Sequence, residues 1–200
     1  MKLFHAARVN TIDRMNAAHP SRLVSECIAG NEDAITTLVR QYEGSVFRLA
    51  LSIVGDTAEA NEITQDTFIA ALRALPAYEE QKSFKAWLFT IAMNQSRSHL
   101  RKWKAIERLK ASLTTLFRVE FQKQTLPEEM VIQNEKEAAL WNSLHQMDER
   151  HRSVVVLRYF LELSVIEISE ILGIHEGTVH SRLHNAREKL KTALEHLNGE

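Results

Sequence analysis

The sequence predicts an all-α protein made of two small helical domains joined by a linker, with a helix-turn-helix in the second domain. The 200 residues include only six glycines and three prolines, and no stretch alternates apolar with polar residues as a half-buried strand would. Apolar residues instead recur at steps of three and four, the spacing of an amphipathic helix. With 44% hydrophobic residues, the chain can bury two small cores.

A long helix is predicted near the start of the first domain, which we assign to residues 21–104 after an N-terminal arm at residues 1–20. Apolar residues recur at helical steps from Ile35 to Ile53. Asn31 lies just before this pattern and is the expected N-terminal cap, because its side chain can accept hydrogen bonds from the first backbone amides.

Two further helices complete the predicted first domain. Asp56, followed three residues later by Glu59, gives the capping signal of the second helix, and Pro76 ends that helix. The third helix begins near Phe84 after a polar loop. Trp87 falls on the inner face of that helix, so we interpret it as a core residue and not as a platform for stacking a base.

Charge is distributed unevenly along the chain, although the formal net charge is only -1. Residues 56–80 carry six acids and one base, whereas residues 84–110 carry seven bases and one acid. Since an acidic face and a basic face lie side by side in the sequence, the nearly neutral total does not exclude nucleic-acid binding.

The apolar pattern weakens over residues 105–134, which we assign as a linker, although Leu109, Leu113, Leu116 and Phe117 could form a further amphipathic segment before Pro127. The pattern returns in a second domain at residues 135–200. There Ser164 and Glu167 have the spacing of a capping box, and Gly173 supplies a left-handed turn after the short helix. The order of short helix, glycine turn and longer helix is that of a helix-turn-helix.

The second helix of this motif is predicted to begin at His175 or Glu176, with polar and basic side chains facing outward. An ordinary helical hairpin with a solvated face is the alternative. The capping box, the turn glycine and the plug residue Ile174 fall at compatible spacings, which favours the DNA-binding motif. The expected core residues of this helix are Val179, Leu183, Ala186 and Leu190.

At these residues the sequence resembles the extracytoplasmic-function (ECF) sigma factors, a small two-domain group of the bacterial sigma-70 family. The resemblance covers roughly Ile35 to Lys104 and Leu144 to Leu194. It depends on two motif sets in the right order, which is more specific than either set alone. The segments that carry it include Gln65-Asp66-Thr67-Phe68, Phe84-Lys85-Ala86-Trp87-Leu88, Ile171-Leu172-Gly173-Ile174 and Ser181-Arg182-Leu183-His184.

The resemblance implies a sigma factor that binds RNA polymerase core and helps open promoter DNA. In relatives an acidic helix docks on the coiled-coil clamp of the largest polymerase subunit; the matching residues are Glu59, Glu62, Gln65, Asp66 and Phe68. The minus-ten element would be contacted by Tyr78, Lys82, Ser83, Asn94, Arg97, Arg101 and Lys102. The minus-thirty-five element would be contacted by Glu176, Thr178, His180, Ser181, Arg182, His184 and Arg187.

The resemblance also suggests an anti-sigma protein as a third partner, since many relatives are held inactive by one. The sequence departs from the family at some positions. His180 stands where many relatives have lysine, and Asn185 stands at a commonly basic position, so the promoter sequence does not follow from the family pattern.

Other functional classes are disfavoured by what the sequence lacks. A Walker loop, a dinucleotide-binding fingerprint and zinc-ligand spacing are all missing, so we expect neither an enzyme nor a cofactor. His180 and His184 have a spacing that can bind a metal, but no third ligand lies on that face. A homodimeric helix-turn-helix regulator remains the main rival, although it would leave the acidic helix without a role.

The expected location is the cytoplasm. Cys27 is the only cysteine, so an internal disulfide is impossible and a reducing compartment is expected. The first residues contain no apolar run long enough for a signal peptide, and nowhere do about 18 apolar residues follow one another, so we expect no membrane insertion.

Overall fold

The protein is all-helical over the residues that the computed structural model describes, which are 20–79, 83–117, 143–144 and 146–197. The prediction of an all-α fold with two domains and a helix-turn-helix is confirmed. The helices are α1 (Pro20–Ile28), α2 (Glu32–Val54), α3 (Thr57–Ala74), α4 (Phe84–Phe117), α5 (Glu149–Val155), α6 (Val165–Leu172) and α7 (Glu176–Leu197). A short 3₁₀ turn, Leu75–Ala77, follows α3, and a π-helical turn, Val156–Phe160, follows α5.

The helix boundaries follow from local capping chemistry. The Asn31 side chain accepts hydrogen bonds from the amides of Asp33 and Ala34, at 3.0 and 3.2 Å, and so caps α2. The Asp56 carboxylate accepts one from the Glu59 amide at 2.8 Å and caps α3. Each cap satisfies amides that have no partner inside the helix. Both predicted caps are therefore confirmed.

The helix-turn-helix forms as the sequence predicts. Ser164 and Glu167 make a complete capping box at the start of α6, and Gly173 ends that helix with φ 63°, a left-handed conformation that glycine adopts without steric cost. Helix α7 then begins at Glu176. Its four predicted core residues, Val179, Leu183, Ala186 and Leu190, are all buried.

The two domains pack against each other around a shared hydrophobic core. Helix α6 packs on α4, and α5 packs on α2. One continuous cluster joins Leu38 and Phe89 of the first domain to Leu157 and Ile168 of the second, all with at most 1% exposure. The placement of the second domain therefore decides which parts of the first remain exposed.

Helix α4 is longer than the first domain requires. It runs for 34 residues to Phe117 and so includes residues 105–117, the first part of the predicted linker. No glycine or proline interrupts this stretch. Beyond the core its apolar side chains are exposed, with Trp103 at 42%, Ile106 at 52% and Leu109 at 60%. The rest of the predicted linker, residues 118–134, lies outside the described residues, as does the arm at residues 1–19.

Candidate functional site

The acidic face of α3 carries the residues expected to bind polymerase. Glu62, Gln65 and Asp66 are exposed. Glu62 follows Glu59 by three residues, and Gln65 and Asp66 follow Glu62 by three and four, so the four side chains share one side of the helix. Glu59 is half-buried. Burial raises the pKa of its carboxyl group, the neighbouring acids Asp56 and Glu62 raise it further, and the charge of His99 opposes them.

A histidine of α4 lies beside this acidic face. The distance from His99 Nδ1 to Glu59 Oε2 is 3.5 Å, and from His99 Nε2 to Glu62 Oε2 it is 3.9 Å. No sequence pattern marks His99, because its approach to α3 depends on how two helices pack and not on a pattern within either one.

Phe68 departs from the predicted polymerase-binding set. Its side chain is only 6% exposed and belongs to the shared hydrophobic core. Phe68 stands nine residues after Glu59, which at about 100° per residue is about two and a half turns, so its ring lies on the opposite side of the helix from Glu59 and faces the interior. In the described arrangement Phe68 therefore packs in the core and not on the acidic face, and its contact with polymerase stays a prediction.

The aromatic part of the predicted minus-ten site is a packed cluster. Tyr78 lies edge-on to Phe84 with 5.4 Å between ring centroids, and its ring is 5.1 Å from that of Trp87. Tyr42 adds a fourth ring, 5.5 Å from Phe84. Trp87 thus packs as the sequence predicted, and Tyr78 is half-buried beside it.

The polar residues predicted for the minus-ten site divide into two groups. Asn94, Arg101 and Lys102 are exposed along α4. Ser83 and Arg97 instead contact the second domain: the Ser83 hydroxyl donates a hydrogen bond to Glu167 Oε1 at 2.9 Å, and Arg97 Nε lies 3.0 Å from Glu149 Oε1. Lys82 lies outside the described residues.

Two more contacts join the domains close to this surface. Lys85 Nζ donates a hydrogen bond to the backbone carbonyl of Leu161. An Arg152 terminal nitrogen donates to the carbonyl of Ile53 at 3.4 Å. In this arrangement the second domain therefore holds part of the surface that the sequence assigned to the minus-ten element.

The predicted minus-thirty-five residues all lie in α7. Glu176, His180, Ser181, His184 and Arg187 are exposed, whereas Thr178 and Arg182 are half-buried. His180, His184 and Arg187 stand at steps of four and three, so they form one outward face. The geometry suits entry into a major groove with cationic side chains near the phosphates.

Neither histidine of this face meets a group of metal ligands in the described part of the chain, where no cluster of three or more histidine, cysteine or acidic side chains is placed to hold a metal ion. Among the described helices, none combines the length and the apolarity needed to cross a membrane.

Comparison with known families matches both domains. Residues 38–110 match Sigma-70 region 2, and residues 137–190 match Sigma-70, region 4. The first match contains α3 and most of α4, and the second contains α6, the turn at Gly173 and α7 as far as Leu190. The two matches occur in the order that the sequence motifs predicted.

Individual relatives cover nearly the whole chain. It is 32% identical to the ECF RNA polymerase sigma factor SigW of Bacillus subtilis, over 84% of this chain and 92% of that protein. It is 30% identical to the RNA polymerase sigma-H factor of Pseudomonas aeruginosa, over 88% and 94%. A solved structure of CnrH, in complex with the cytosolic domain of CnrY, superposes with a TM-score of 0.63 at 26% identity, covering 86% of this chain and 95% of that one.

Two family matches in sequence order, full-length relatives and a similar solved fold agree with the geometry of the acidic helix and the helix-turn-helix. The chain belongs to the extracytoplasmic-function sigma factors of the bacterial sigma-70 family.

Proposed function

We propose that this sigma factor docks on RNA polymerase core through the acidic face of α3, recognises the minus-thirty-five element with α7 and contacts the minus-ten element with residues before and along α4. The observation that carries the proposal is the pairing of two surfaces of opposite character on one chain. One is an exposed acidic helix suited to a basic protein partner, and the other is an exposed recognition helix suited to a major groove.

Contact with the minus-ten element requires the two domains to move apart. Ser83 and Arg97 bond to Glu167 and Glu149 in the described arrangement, so opened DNA and the second domain would compete for the same side chains. We propose that docking on polymerase separates the domains. The cationic side chains of α4 would then help hold the unpaired strand, offsetting the loss of base stacking.

A third partner is also proposed. CnrH was solved bound to the cytosolic domain of CnrY, so at least one relative of similar fold takes a protein partner besides polymerase. We infer that an anti-sigma protein regulates this chain as well. We propose that this sigma factor itself acts in the cytoplasm, where promoter DNA and polymerase meet.

The test is co-purification of the full chain with bacterial RNA polymerase core at moderate salt. The variant carries Gln65→Ala and Asp66→Ala together. We expect about thirtyfold weaker binding, equivalent to about 2 kcal/mol, because truncating central interface residues has costs of this order. The loss should shrink as salt is raised, since part of it is electrostatic.

A matched control comes from α2, where Gln41 and Glu43 are likewise an exposed glutamine and an exposed acid. The double variant Gln41→Ala, Glu43→Ala should bind polymerase like the wild type. If the wild type ignores polymerase but binds DNA alone as a homodimer, the rival regulator hypothesis replaces this proposal. If both double variants lose the same affinity for polymerase, α3 is not the docking face.

A further inference from the structure

An arginine on the DNA-facing side of α7 is held by a tyrosine from another element. Arg187 Nε donates a hydrogen bond to the Tyr159 hydroxyl oxygen at 2.6 Å. The Arg187 side chain is otherwise exposed. No other partner is found for it among the described residues, so its two terminal nitrogens are available to a ligand.

The geometry of this pair shows which part of the guanidinium is engaged. The guanidinium carbon lies 5.8 Å from the centroid of the Tyr159 ring, while Nε makes the short contact to the hydroxyl. Because the contact is made at the hydroxyl, the guanidinium is held mainly by a hydrogen bond and only weakly by the ring face. The tyrosine thus takes the inner nitrogen and leaves the outer fork, which is the part that binds a phosphate in a bidentate manner.

Tyr159 is itself held firmly. It lies in the π-helical turn Val156–Phe160 and packs against the small core that contains Val155, Ala186 and Leu190. The turn is braced by Arg158, which donates a hydrogen bond to the carbonyl of Leu163 at 2.7 Å. A π-helical turn changes the direction of the side chains it carries relative to an α-helix. The packing around Tyr159 therefore fixes the position of its hydroxyl group relative to α7.

We propose that Tyr159 is a positioning residue that fixes the guanidinium of Arg187 for a backbone phosphate beside the recognition helix. Arg187 shares the outward face of His180 and His184, so its outer nitrogens lie along the side of α7 expected to meet DNA. Fixing Nε removes rotamers that an exposed arginine would otherwise lose only on binding. This inference rests on the proposed DNA-binding role of α7.

The test is a double-mutant cycle on the holoenzyme, reconstituted from polymerase core and the full chain. A promoter fragment is first selected from genomic DNA by retention on the wild-type holoenzyme. Its affinity for holoenzyme carrying Tyr159→Phe, Arg187→Gln or both is then measured over a series of salt concentrations. Tyr159→Phe keeps the ring and removes only the hydroxyl. Tyr42→Phe is the matched control, since Tyr42 is a half-buried tyrosine of the first domain.

We expect Arg187→Gln to weaken binding about tenfold and to reduce the slope of log affinity against log salt by about 0.9, the value of one phosphate contact. Tyr159→Phe should weaken binding about threefold with nearly the same slope, because the charge remains. In the Arg187→Gln background, Tyr159→Phe should have no further effect. Arg187→Lys, which keeps the charge without an Nε–H, should also become insensitive to Tyr159→Phe.

A merely structural role for Tyr159 predicts a different result: the same loss in both backgrounds, together with a lower melting temperature of the chain. That outcome would overturn the inference, as would an effect of Tyr159→Phe no larger than that of Tyr42→Phe. Holoenzyme that forms but retains no DNA fragment would instead refute the proposed promoter recognition, and this inference with it. The two failures are thus distinguishable.

Discussion

The two surfaces assigned to promoter DNA differ in how they are built. The surface proposed for the minus-thirty-five element lies on one helix, α7, where most of the proposed contact residues are exposed. The minus-ten surface is assembled from a loop and a long helix, and Ser83 and Arg97 within it are bonded to the second domain. A surface formed by one helix is thus exposed in the described arrangement, whereas a surface that two domains share becomes fully exposed only when the domains separate.

The largest expected effect tests whether the domains fold as one unit. Ile168 of α6 is fully buried in the core that both domains share. We expect Ile168→Ala to lower the free energy of unfolding by about 3 kcal/mol, because it leaves a cavity. Urea unfolding is followed by helical circular dichroism and by the fluorescence of Trp87 in the first domain, with Trp103 and Trp141 replaced by phenylalanine.

Both signals should shift together if the domains unfold cooperatively. The control is Ile166→Ala on the same helix, where the side chain is 57% exposed, and its effect should stay within about 0.5 kcal/mol. An unchanged Trp87 midpoint in Ile168→Ala would mean that the domains are independent, and the contrast between the two surfaces would lose its basis.

A smaller effect is expected at the carboxylate that links the capping box to the first domain. The pKa of Glu167 is lowered: burial raises it, but hydrogen bonds from Ser164 and Ser83 and the charge of Lys85 lower it more. Its stabilisation is therefore present above the ordinary value of 4.5 and is lost as the pH falls through the lower folded value. Glu167→Gln should lower the free energy of unfolding by about 1 kcal/mol at pH 7, because glutamine can keep the hydrogen bonds but loses the charge that strengthens them.

The difference between Glu167→Gln and the wild type should shrink as the pH falls below that ordinary value, which urea unfolding at a series of pH values would measure. Glu170→Gln, at an exposed position of the same helix, is the control and should have little effect at any pH. A difference that does not change with pH would show that the charge of Glu167 contributes nothing.

The smallest effect concerns the ion pair that occupies Arg97. The Arg97 and Glu149 side chains are 29% and 28% exposed, so solvent screens much of their attraction. We expect Glu149→Gln to lower the free energy of unfolding by about 0.5 kcal/mol at low salt, and by less in about 1 M salt. Urea unfolding at both salt concentrations measures this.

Glu149 also lies in the first turn of a helix, where a negative charge is favourable by itself. Glu32→Gln, an exposed first-turn acid of α2, isolates that contribution. If both variants lose the same free energy of unfolding, the ion pair with Arg97 contributes no stability. The contact of the second domain with the proposed minus-ten surface would then depend on Ser83 and Lys85.

Features that depend on short stretches of chain could be predicted from the sequence. Asn31, Asp56 and the Ser164–Glu167 box cap their helices because each needs only the amides two or three residues ahead. Gly173 ends α6 because the turn needs a left-handed residue there. The core positions of α7 follow from the helical period. The acidic face of α3 was predictable for the same reason, except at Phe68, where family motif and helix geometry point to different sides.

Features that depend on packing between distant segments could not be predicted. The approach of His99 to Glu59 and Glu62, the contacts of Ser83 and Arg97 with the second domain, and the bond between Tyr159 and Arg187 each join residues far apart in sequence. The apolar residues from Leu109 to Phe117 suggested a separate amphipathic segment within a linker, and their continuity with α4 was not predicted, although the stretch contains no residue that breaks a helix. The domain boundaries and the individual DNA contacts stay predictions.

The length of α4 has a mechanical consequence. At 1.5 Å per residue its 34 residues span about 51 Å, and its first part is clamped in the core around Phe89 and Met93. Helix α4 packs on the core as far as Leu100, so the 17 residues beyond it would act as a lever about 26 Å long, and a tilt of about 10° would move the Phe117 end by about 4 Å. A small change in the angle of α4 within the first domain would therefore cause a larger displacement at Phe117, the end of α4 that leads towards the second domain in sequence.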